Sequence, residues 1–372
     1  MPKHLCFLFS DIGKGGAEKF SFNLINYFIE SNHDVSVISL GKKKNFDYLN
    51  SHQKVQIHHF TRKSKFDFRP LKLIDRFAKE NKVDLFICID QFAQLYFNIS
   101  RIIHCNNLQS ILSPHITNPR NYKDFLNNWL SSVTMKRKLD YIVYISNNQK
   151  IFMESKYPKI KKIKNYLIHN GIDFNKYRVS SEKKNLKKSL FELDTVDCKV
   201  IIQVAGFRIE KDHQTSVKAF SILKKDFPLV KLVFLGDGDM SYINELKNSA
   251  LELGLQEDIF FIGFKNDVSD YLAASDLFTL TSSSIETFSL AALEALASGL
   301  PLVLTDIGGA NEIVNSTNGI LVPPKNPEKI AEGWSLVLKN NYDSYEIRNN
   351  AMEFYHIDIM NKKYLDLINN II

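Results

Sequence analysis

The sequence predicts an α/β protein built from two parallel sheets, and three features of the chain indicate this class. Short runs of β-branched and aromatic residues alternate with longer stretches of helical spacing, which is the pattern of parallel strands joined by helical crossovers. Many of the strand candidates are apolar throughout, as expected when helices cover both faces of a sheet. The length of 372 residues suits two domains of ordinary size.

The strand candidates are too many for one doubly wound sheet but fit two. In the first half of the chain they are residues 5–9, 35–40, 55–60, 83–89, 101–104, 141–145 and 166–169. In the second half they are residues 200–205, 230–235, 259–262, 277–281, 301–304 and 319–322. After the first candidate, Phe20, Leu24 and Phe28 have the spacing of one helix face. From Tyr342 onward there is no strand candidate, so we expect one or two closing helices.

The charge balance changes sign near a polar, strand-free segment at residues 180–185, which we take as the linker. Residues 1–180 carry 29 Lys and Arg against 14 Asp and Glu, whereas residues 181–372 carry 19 against 27. We therefore predict a first domain over 1–178, a second over 179–354, and a closing helix over 355–372 that packs toward the first domain. The basic half is expected to attract phosphate-bearing partners such as an anionic membrane, unless its lysines only form a solvated surface. Its positive charge is concentrated at residues 42–44, 62–65, 69–79 and 136–138.

Composition excludes several classes of protein. Hydrophobic residues make up 44% and charged residues 24% of the chain, which is typical of globular proteins. No run reaches the roughly 18 apolar residues of a membrane span, and the first strand candidate is not followed by a signal-peptide cleavage site. The four cysteines lie far apart, without a CxxC pair. Reduced thiols in a cytoplasmic protein explain them best.

A glycine-rich turn follows the first strand candidate. Gly13, Gly15 and Gly16 lie between this strand and the next helix, where backbone N–H groups and a helix N-terminus can receive an anion. A dinucleotide site would also need an acidic residue at the end of the second strand. That position holds Ser39-Leu40-Gly41 followed by lysines, which argues against NAD.

Asp237 and Asp239 follow another strand candidate and are flanked by glycines. An Asp-x-Asp pair can hold a divalent metal beside a diphosphate. Aspartates in such turns are equally suited to form the turn or cap the next helix. We expect no metal here.

The segment from Ser282 to Pro301 is the richest in candidate site residues. Small polar residues follow a strand, Glu286 precedes a helix predicted from Phe288 to Gly299, and Glu294 lies two turns inside that helix. A loop glutamate beside a free helix N-terminus can bind a sugar and its diphosphate together. The alternative is a capping Glu286 with a solvated Glu294.

These residues resemble the glutamate-rich signature of the retaining glycosyltransferases of the GT4 family, which have the GT-B architecture: two Rossmann-like domains facing a cleft. The spacing of Glu286, Phe288, Glu294, Gly299 and Pro301 carries the resemblance. Further matching segments appear in the family's order: Gly15-Gly16-Ala17-Glu18, His169-Asn170-Gly171-Ile172-Asp173, Lys211-Asp212-His213, Gly236-Asp237-Gly238, and Gly308-Gly309 with Glu312. Together they extend over almost the full chain.

The resemblance implies roles for individual residues. Glu286 is expected to bind the hydroxyls of the donor sugar and Glu294 the ribose. The diphosphate is expected to meet three groups of residues: the backbone amides of Phe288, Ser289 and Leu290, the side chains of Arg208 and Lys211, and Gly15 and Gly16 from the opposite domain. His104, at the end of the strand candidate 101–104, is expected to face the donor sugar. Arg208 departs from the family, in which Gly-Arg follows the strand directly.

The activity implied is metal-independent, retaining transfer of a sugar from a nucleotide diphosphate, UDP in preference to GDP. The acceptor is a hydroxyl of a lipid-linked saccharide in bacterial surface polysaccharide assembly, such as O-antigen or capsule, at the cytoplasmic face of an anionic membrane. Two alternatives remain: a GT-B sugar-nucleotide epimerase, and a non-catalytic nucleic-acid-binding protein. The second would need exposed aromatics among its lysines, whereas most aromatics here fall in core patterns, so we expect no nucleic acid.

Overall fold

A computed structural model of the chain describes residues 2–13, 15–41, 55–63, 67–115, 119, 122–193 and 198–372. The chain divides into two compact units. Unit 1 comprises Met1–Asn170 with Met360–Ile372, and unit 2 comprises Gly171–Ile359. The first division therefore lies at residue 170, before the polar linker at which we placed it.

Unit 1 contains a seven-stranded sheet in which every pair is parallel, with strand order β3-β2-β1-β4-β5-β6-β7. Its strands are β1 (His4–Phe9), β2 (Asp34–Ser39), β3 (Gln56–His59), β4 (Leu85–Cys88), β5 (Gln109–Leu112), β6 (Asp140–Tyr144) and β7 (Lys164–Leu167). The helices between them are α1 (Gly16–Glu30), α2 (Arg69–Glu80), α3 (Gln91–Ile103), α4 (Tyr122–Thr134) and α5 (Asn147–Lys156). The predicted helix face after β1 is correct, because Phe20, Leu24 and Phe28 are all buried.

Unit 2 contains a six-stranded parallel sheet of order β10-β9-β8-β11-β12-β13. Its strands are β8 (Val200–Val204), β9 (Lys231–Leu235), β10 (Ile259–Gly263), β11 (Leu277–Leu280), β12 (Leu302–Thr305) and β13 (Gly319–Val322). Its helices are α6 (Lys183–Phe191), α7 (His213–Leu223), α8 (Met240–Glu252), α9 (Ser269–Ala273), α10 (Leu290–Ala297), α11 (Ala310–Ile313), α12 (Pro327–Lys339) and α13 (Ser344–Tyr355). This strand order is that of the Rossmann fold.

The last helix, α14 (Ile357–Ile371), belongs mostly to unit 1. Its buried Tyr364 hydrogen-bonds Ser113 at 2.9 Å and packs against Phe20. From Tyr342 onward the chain forms two closing helices, α13 and α14, and the second belongs to unit 1 from residue 360 rather than 355. The predicted class, two Rossmann-like parallel sheets, is confirmed.

One predicted strand is wrong. Residues 101–104 are not a strand: they form the end of α3, and the strand at this place in the sheet is β5, five residues further on. Arg101 is fully buried and forms a bidentate pair with Asp140, with both N–O distances at 2.6 Å. The neighbouring Ile102 and Ile103 are exposed. Two consecutive β-branched residues at the end of a helix therefore gave the sequence pattern of a short strand.

Cys6, Cys88 and Cys198 are buried and Cys105 is exposed, and all four are free thiols. Burial raises the pKa of Cys6, Cys88 and Cys198, which keeps these thiols protonated. Among the described residues, no helix is long and apolar enough to cross a bilayer.

Candidate active site

The site in unit 2 lies at the carboxyl ends of β8 and β11, where the strand order reverses. From β8 the chain proceeds outward to β9 and β10 on one side, whereas β11, β12 and β13 lie on the other. A parallel sheet opens a crevice at such a point, because successive connections leave in opposite directions. The turn after β8 contains Lys211, and the turn after β11 contains Glu286.

Lys211 and Glu286 meet across this crevice. Lys211 Nζ lies 2.6 Å from Glu286 Oε2, and the two side chains keep only 14% and 16% of their exposure. Ser282 Oγ also donates to Glu286 Oε2, at 3.3 Å. Sequence reasoning placed these two charges in one site, and the structure brings them into direct contact.

The backbone of Lys211 is fixed by a buried polar network from the two central strands. Gln203 at the end of β8 donates to the Lys211 carbonyl at 3.3 Å, and Thr281 after β11 donates to it at 3.2 Å. Ser216 on α7 joins both side chains, at 2.7 and 2.8 Å. The Lys211 ammonium therefore extends from a rigid support.

Helix α10 begins beside this ion pair. Ser289 is its N-cap and accepts a hydrogen bond from Ala292 N at 3.2 Å. The helix therefore starts at Leu290, two residues after the predicted start, and Phe288 is buried with its ring edge on Tyr355. A small depression is lined by Ser282, Glu286 and Ser289 from the loop after β11, by Thr305 at the end of β12, and by four apolar residues. The positive end of the α10 dipole favours an anion there.

Gly308 fixes the position of the Glu286 backbone from the loop after β12. It has a φ of +59°, and a Cβ added there would lie 1.6 Å from the Glu286 carbonyl oxygen. The adjacent Gly309 N–H donates to the Thr287 carbonyl at 3.0 Å. Glycine is thus required at position 308 for the close packing of these two loops.

Glu294 is buried on α10, which rules out the solvated alternative. Its carboxylate accepts a hydrogen bond from the buried Tyr177 hydroxyl. Burial first, and then the Glu294 charge, raise the pKa of Tyr177 far above its usual range. Tyr177 was not a predicted site residue; it follows the His169-to-Asp173 segment that belongs to the resemblance.

Arg208 has a different environment from Lys211. Its guanidinium is half exposed and lies 3.6 Å from Glu210 in its own turn. Its position therefore depends on an exposed, loose ion pair, whereas Lys211 is held by Glu286.

The turn at residues 236–239 packs closely against the turn after β8. A Cβ on Gly236 would lie 2.0 Å from the Ala205 carbonyl oxygen, and one on Gly238 would lie 2.3 Å from that of Phe207. Asp239 caps α8 by accepting from Ser241 N at 2.8 Å, and this bond and that of the Ser241 hydroxyl lower its pKa. No cluster of three metal-ligating side chains occurs in the part of the chain that the structure describes.

In unit 1, the glycine turn after β1 already holds a carboxylate. Glu18 on α1 accepts from Gly13 N at 2.9 Å and from Gly15 N at 3.0 Å. Gly16 is the first residue of α1. Donors converging on a carboxylate show that the turn is suited to an anion.

His104 does not lie where we expected it. It is the C-cap of α3, near the edge of the sheet where β5 begins, and its Nδ1 contacts the Ser100 carbonyl at 2.9 Å. Its predicted position at a strand's carboxyl end is wrong because residues 101–104 are helical.

His115 does follow a strand: it lies just beyond β5, at the carboxyl edge of the sheet. Its ring lies 4.3 Å from that of Phe20 on α1. Its Nε2 is shielded from solvent and has no hydrogen-bond partner among the described residues. Burial lowers the pKa of His115 to about 3, so the imidazole is neutral at pH 7. The sequence signal for this position is the segment Ser113-Pro114-His115, in which a proline and a histidine directly follow the apolar end of β5.

With this geometry in place, comparison with known proteins defines the class of protein. Residues 187–354 match the family model of glycosyl transferases group 1, and residues 14–176 match that of glycosyltransferase family 4. The two models describe the two halves of one kind of enzyme. The chain belongs to the GT4 glycosyltransferases, which have the GT-B fold.

Relatives and solved structures agree with this assignment. An uncharacterized glycosyltransferase of Haemophilus influenzae is 27% identical over 349 residues, or 91% of each chain. The UDP-Gal:alpha-D-GlcNAc-diphosphoundecaprenol alpha-1,3-galactosyltransferase of Escherichia coli is 26% identical over 65% of this chain and 64% of its own. The crystal structure of Anabaena Alr3699/HepE in complex with UDP-glucose superposes with a TM-score of 0.85 at 21% identity, over 99% of each chain.

Proposed function

We propose that this glycosyltransferase moves a sugar from a UDP-sugar, with a GDP-sugar as the alternative, to a hydroxyl of a lipid-linked saccharide. The anomeric configuration is retained and no metal ion is needed. The observation that carries the proposal is the Lys211–Glu286 pair, 2.6 Å apart beside the N-terminus of α10 at the reversal point of a Rossmann-type sheet. One carboxylate for hydroxyls and one cation for a diphosphate are the groups that such a donor requires.

Two relatives support the choice of substrates. The Anabaena protein was crystallised with UDP-glucose. The Escherichia coli enzyme, by its name, uses UDP-Gal and a diphosphoundecaprenol-linked sugar. We extend both chemistries to this chain, and we place it in bacterial surface polysaccharide assembly at the cytoplasmic face of the membrane.

The reaction breaks the bond between the anomeric carbon and the diphosphate oxygen and forms one to the acceptor oxygen. Negative charge grows on the diphosphate as the first bond breaks. Lys211, Arg208 and the N-terminal amides of α10 stabilise that charge, which is the electrostatic work a metal does elsewhere. The acceptor attacks from the leaving-group side, and its proton passes to the departing diphosphate oxygen. A nucleoside diphosphate and a glycoside result.

Other residues bind the donor but do not stabilise the charge that grows on the diphosphate. Glu286 accepts hydrogen bonds from the sugar hydroxyls and Glu294 accepts them from the ribose. From unit 1, we assign Gly15 and Gly16 to the phosphate and His115 in place of His104 to the sugar, because His115 follows β5 at the carboxyl edge of the sheet and packs against Phe20 of α1, the helix that begins at the glycine turn. No covalent sugar intermediate is included.

The test is release of nucleoside diphosphate from a set of sugar nucleotides, with and without lipid-linked or water-soluble acceptors. We expect release to require an acceptor, to survive EDTA, and to yield a glycoside whose NMR coupling shows the donor's anomeric configuration. Conversion of donor alone into an isomer would identify an epimerase instead. Inversion, or strict dependence on Mg²⁺ or Mn²⁺, would overturn the corresponding part of the proposal.

A further inference from the structure

Helix α4 in unit 1 buries small polar side chains and exposes large apolar ones, which is the reverse of the usual arrangement in a globular protein. Its buried residues are Ser131 and Ser132. Its large apolar side chains face outward, at the i, i+3, i+4 and i+7 positions of one helix face: Tyr122, Phe125, Leu126 and Trp129, which are 78%, 37%, 41% and 45% exposed. We call these four residues the apolar stripe. A contiguous exposed apolar face of this kind marks an interaction surface.

Basic side chains lie next to the stripe. The 3-10 turn Pro158–Lys162 packs against α4, and the Phe125 ring lies 5.9 Å from that of Tyr157, the residue that precedes the turn. Five lysines of this turn and its flanks are exposed: Lys156, Lys159, Lys161, Lys162 and Lys164. We call them the lysine group.

No member of the lysine group has a carboxylate partner within the described ranges. Over residues 122–167 the chain carries 10 Lys and Arg against three acidic residues, and one of those, Asp140, is buried against Arg101. The surface beside the stripe therefore has an uncompensated positive charge.

Another basic segment of unit 1 does not have this property. Residues 69–79, which the charge pattern also suggested for membrane docking, form most of α2. Three of its four cations are paired: Arg69 with Asp67, Arg76 with Glu80 at 2.7 Å, and Lys79 with Asp75 at 2.7 Å. Of the other suggested segments, 42–44 lies outside the described residues, 62–65 lies partly outside them, and 136–138 follows the end of α4.

We propose that the apolar stripe and the lysine group together bind the surface of an anionic phospholipid bilayer. The proposal rests on the proposed function, because a lipid-linked acceptor is held in such a surface. Helix α4 is 13 residues long, or about 20 Å at 1.5 Å per residue, and lies in the plane of the interface. Trp and Tyr favour this depth, and the lysines meet the anionic headgroups.

A bilayer explains the two features together. Apolar side chains bind it by entering the acyl boundary, and each nearby Lys adds about 1 kcal/mol of attraction to an anionic surface. An interface between two copies of this chain would bring two lysine groups toward each other and repel. The combination of stripe and positive charge therefore favours lipid.

Trp129 offers a direct measurement, because the only other tryptophan, Trp334, is buried and hydrogen-bonded to Thr279. The full chain is mixed, without donor or acceptor, with vesicles of phosphatidylcholine containing 30% phosphatidylglycerol or none. With anionic vesicles we expect a blue shift of the emission and quenching by brominated lipid. Neutral vesicles should bind at least about tenfold more weakly, and added salt should release the protein, since charges are screened beyond about 8 Å at physiological ionic strength.

Two variants test the two parts of the surface by co-sedimentation. Leu126→Ser with Trp129→Ser removes half of the stripe, and Lys159→Glu with Lys161→Glu and Lys162→Glu reverses the charge. Each should lower partitioning at least about tenfold. The matched control is Phe68→Ser with Leu73→Ser, which removes two exposed apolar side chains at α2, 64% and 39% exposed. It should bind as wild type does, and circular dichroism should show all variants folded.

Several results would overturn the proposal. Equal binding to neutral and anionic vesicles, or equal loss in the α2 control, would show that these residues do not form the surface. Self-association that disappears in the Leu126/Trp129 variant, without vesicle binding, would assign the stripe to a second copy. Vesicle binding needs no turnover, so its failure is distinguishable from failure of the proposed function. A Glu286→Gln variant should bind vesicles normally while losing transfer.

Discussion

The pairing of Lys211 with Glu286 changes what removal of the glutamate means. A loop carboxylate that only bound sugar hydroxyls would contribute nothing to the stability of the fold. In the structure Glu286 neutralises a largely buried ammonium at 2.6 Å. Removal of one partner of such a pair leaves an uncompensated charge. Activity and stability are therefore coupled at this residue.

Glu286→Gln should reduce kcat at least about 100-fold, the cost of losing one transition-state contact. It should also lower the free energy of unfolding by on the order of 2 kcal/mol, less than for a fully buried pair. Lys211→Met should lower kcat more than it raises the KM for acceptor, because the charge that Lys211 meets grows during bond breaking. Steady-state kinetics and urea unfolding give these quantities.

The control for this pair is Asp276→Asn. Asp276 pairs with Lys187 at the same 2.6 Å with similar burial, just before β11 and hence at the opposite edge of the sheet. It should cost stability without lowering kcat once the protein is folded. Equal kinetic losses in the two variants would show that Glu286 acts only through stability.

Tyr177→Phe tests whether the hydroxyl positions Glu294 for the nucleotide. A hydrogen bond to a charged group contributes about 1.5–3 kcal/mol, so the KM for donor should rise about tenfold while kcat changes little. Tyr144→Phe is the control, because the buried Tyr144 hydroxyl has no partner among the described residues. A fall in kcat with unchanged KM would contradict a positioning role.

His213 makes the stability of unit 2 sensitive to acid. Its buried ring stacks on Phe207 at 4.6 Å, and burial, with the Lys211 charge, lowers its pKa to about 3. An unfolded histidine titrates near 6.5. As the pH falls from 6.5 to 3, His213 is protonated in the unfolded state but not in the folded state. The free energy of unfolding therefore declines by up to about 1.4 kcal/mol per pH unit.

His213→Phe should abolish this contribution while preserving the aromatic stack. Urea unfolding at several pH values between 3.5 and 7 should give a shallower decline than wild type. A parallel dependence in wild type and His213→Phe would assign the acid sensitivity to other groups.

At the scale of elements, the sequence predicts most of the fold because period and burial are local signals. The buried parallel strand β4 is apolar throughout, β1 and β8 each contain one polar residue, and α1 carries its apolar face at helical spacing. The exception at residues 101–104 arises from a contact that no local pattern contains. Arg101 reaches Asp140 on β6, and β5 begins with the polar Gln109 and Ser110, so its strand pattern is weak.

The site shows the same limit. Glu286 and Lys211 could be predicted because each belongs to a motif with fixed spacing. Tyr177 on Glu294 could not, since the two residues are distant in sequence and one lies in an unpatterned segment. The position of His115 depended on the correct assignment of β5, so one wrong strand moved the candidate histidine to the opposite edge of the sheet.

Gly308 is the element-scale test of how the loop after β12 holds the loop after β11. Gly308→Ala places a Cβ 1.6 Å from the Glu286 carbonyl oxygen and strains a φ of +59°. We expect a loss of kcat/KM of at least about tenfold, from displacement of Glu286, and a stability loss of about 1–3 kcal/mol from the strained backbone. Gly254→Ala is the control: its φ is +68°, but no atom lies within 4 Å. It should lose stability and keep activity.

At the scale of the whole molecule, the charge division follows the two sheets. The acidic half forms nearly all of unit 2, yet it contains Lys211, Arg208 and the N-terminus of α10, to which we assign binding of an anionic diphosphate. The net charge of unit 2 therefore does not indicate which ligands it binds; the positions of individual charged groups at the site do. The basic half, by contrast, carries uncompensated charge next to an exposed apolar stripe, so its net charge and its local surface agree.

Binding of UDP to the protein tests both the position of the site in unit 2 and its independence of a metal ion. At 100 times its dissociation constant, UDP should stabilise the protein by about 2.7 kcal/mol, equally in EDTA and in Mg²⁺, because the cations at the site are side chains. Hydrogen exchange should show protection at residues 205–212 and 282–290, the turns that carry Lys211 and Glu286. Asp237→Asn with Asp239→Asn should change neither result, since asparagine can still cap α8. Stabilisation that appears only with Mg²⁺ or Mn²⁺ and is lost in this double variant would make the two aspartates ligands, and would refute metal independence while leaving the fold and family unaffected.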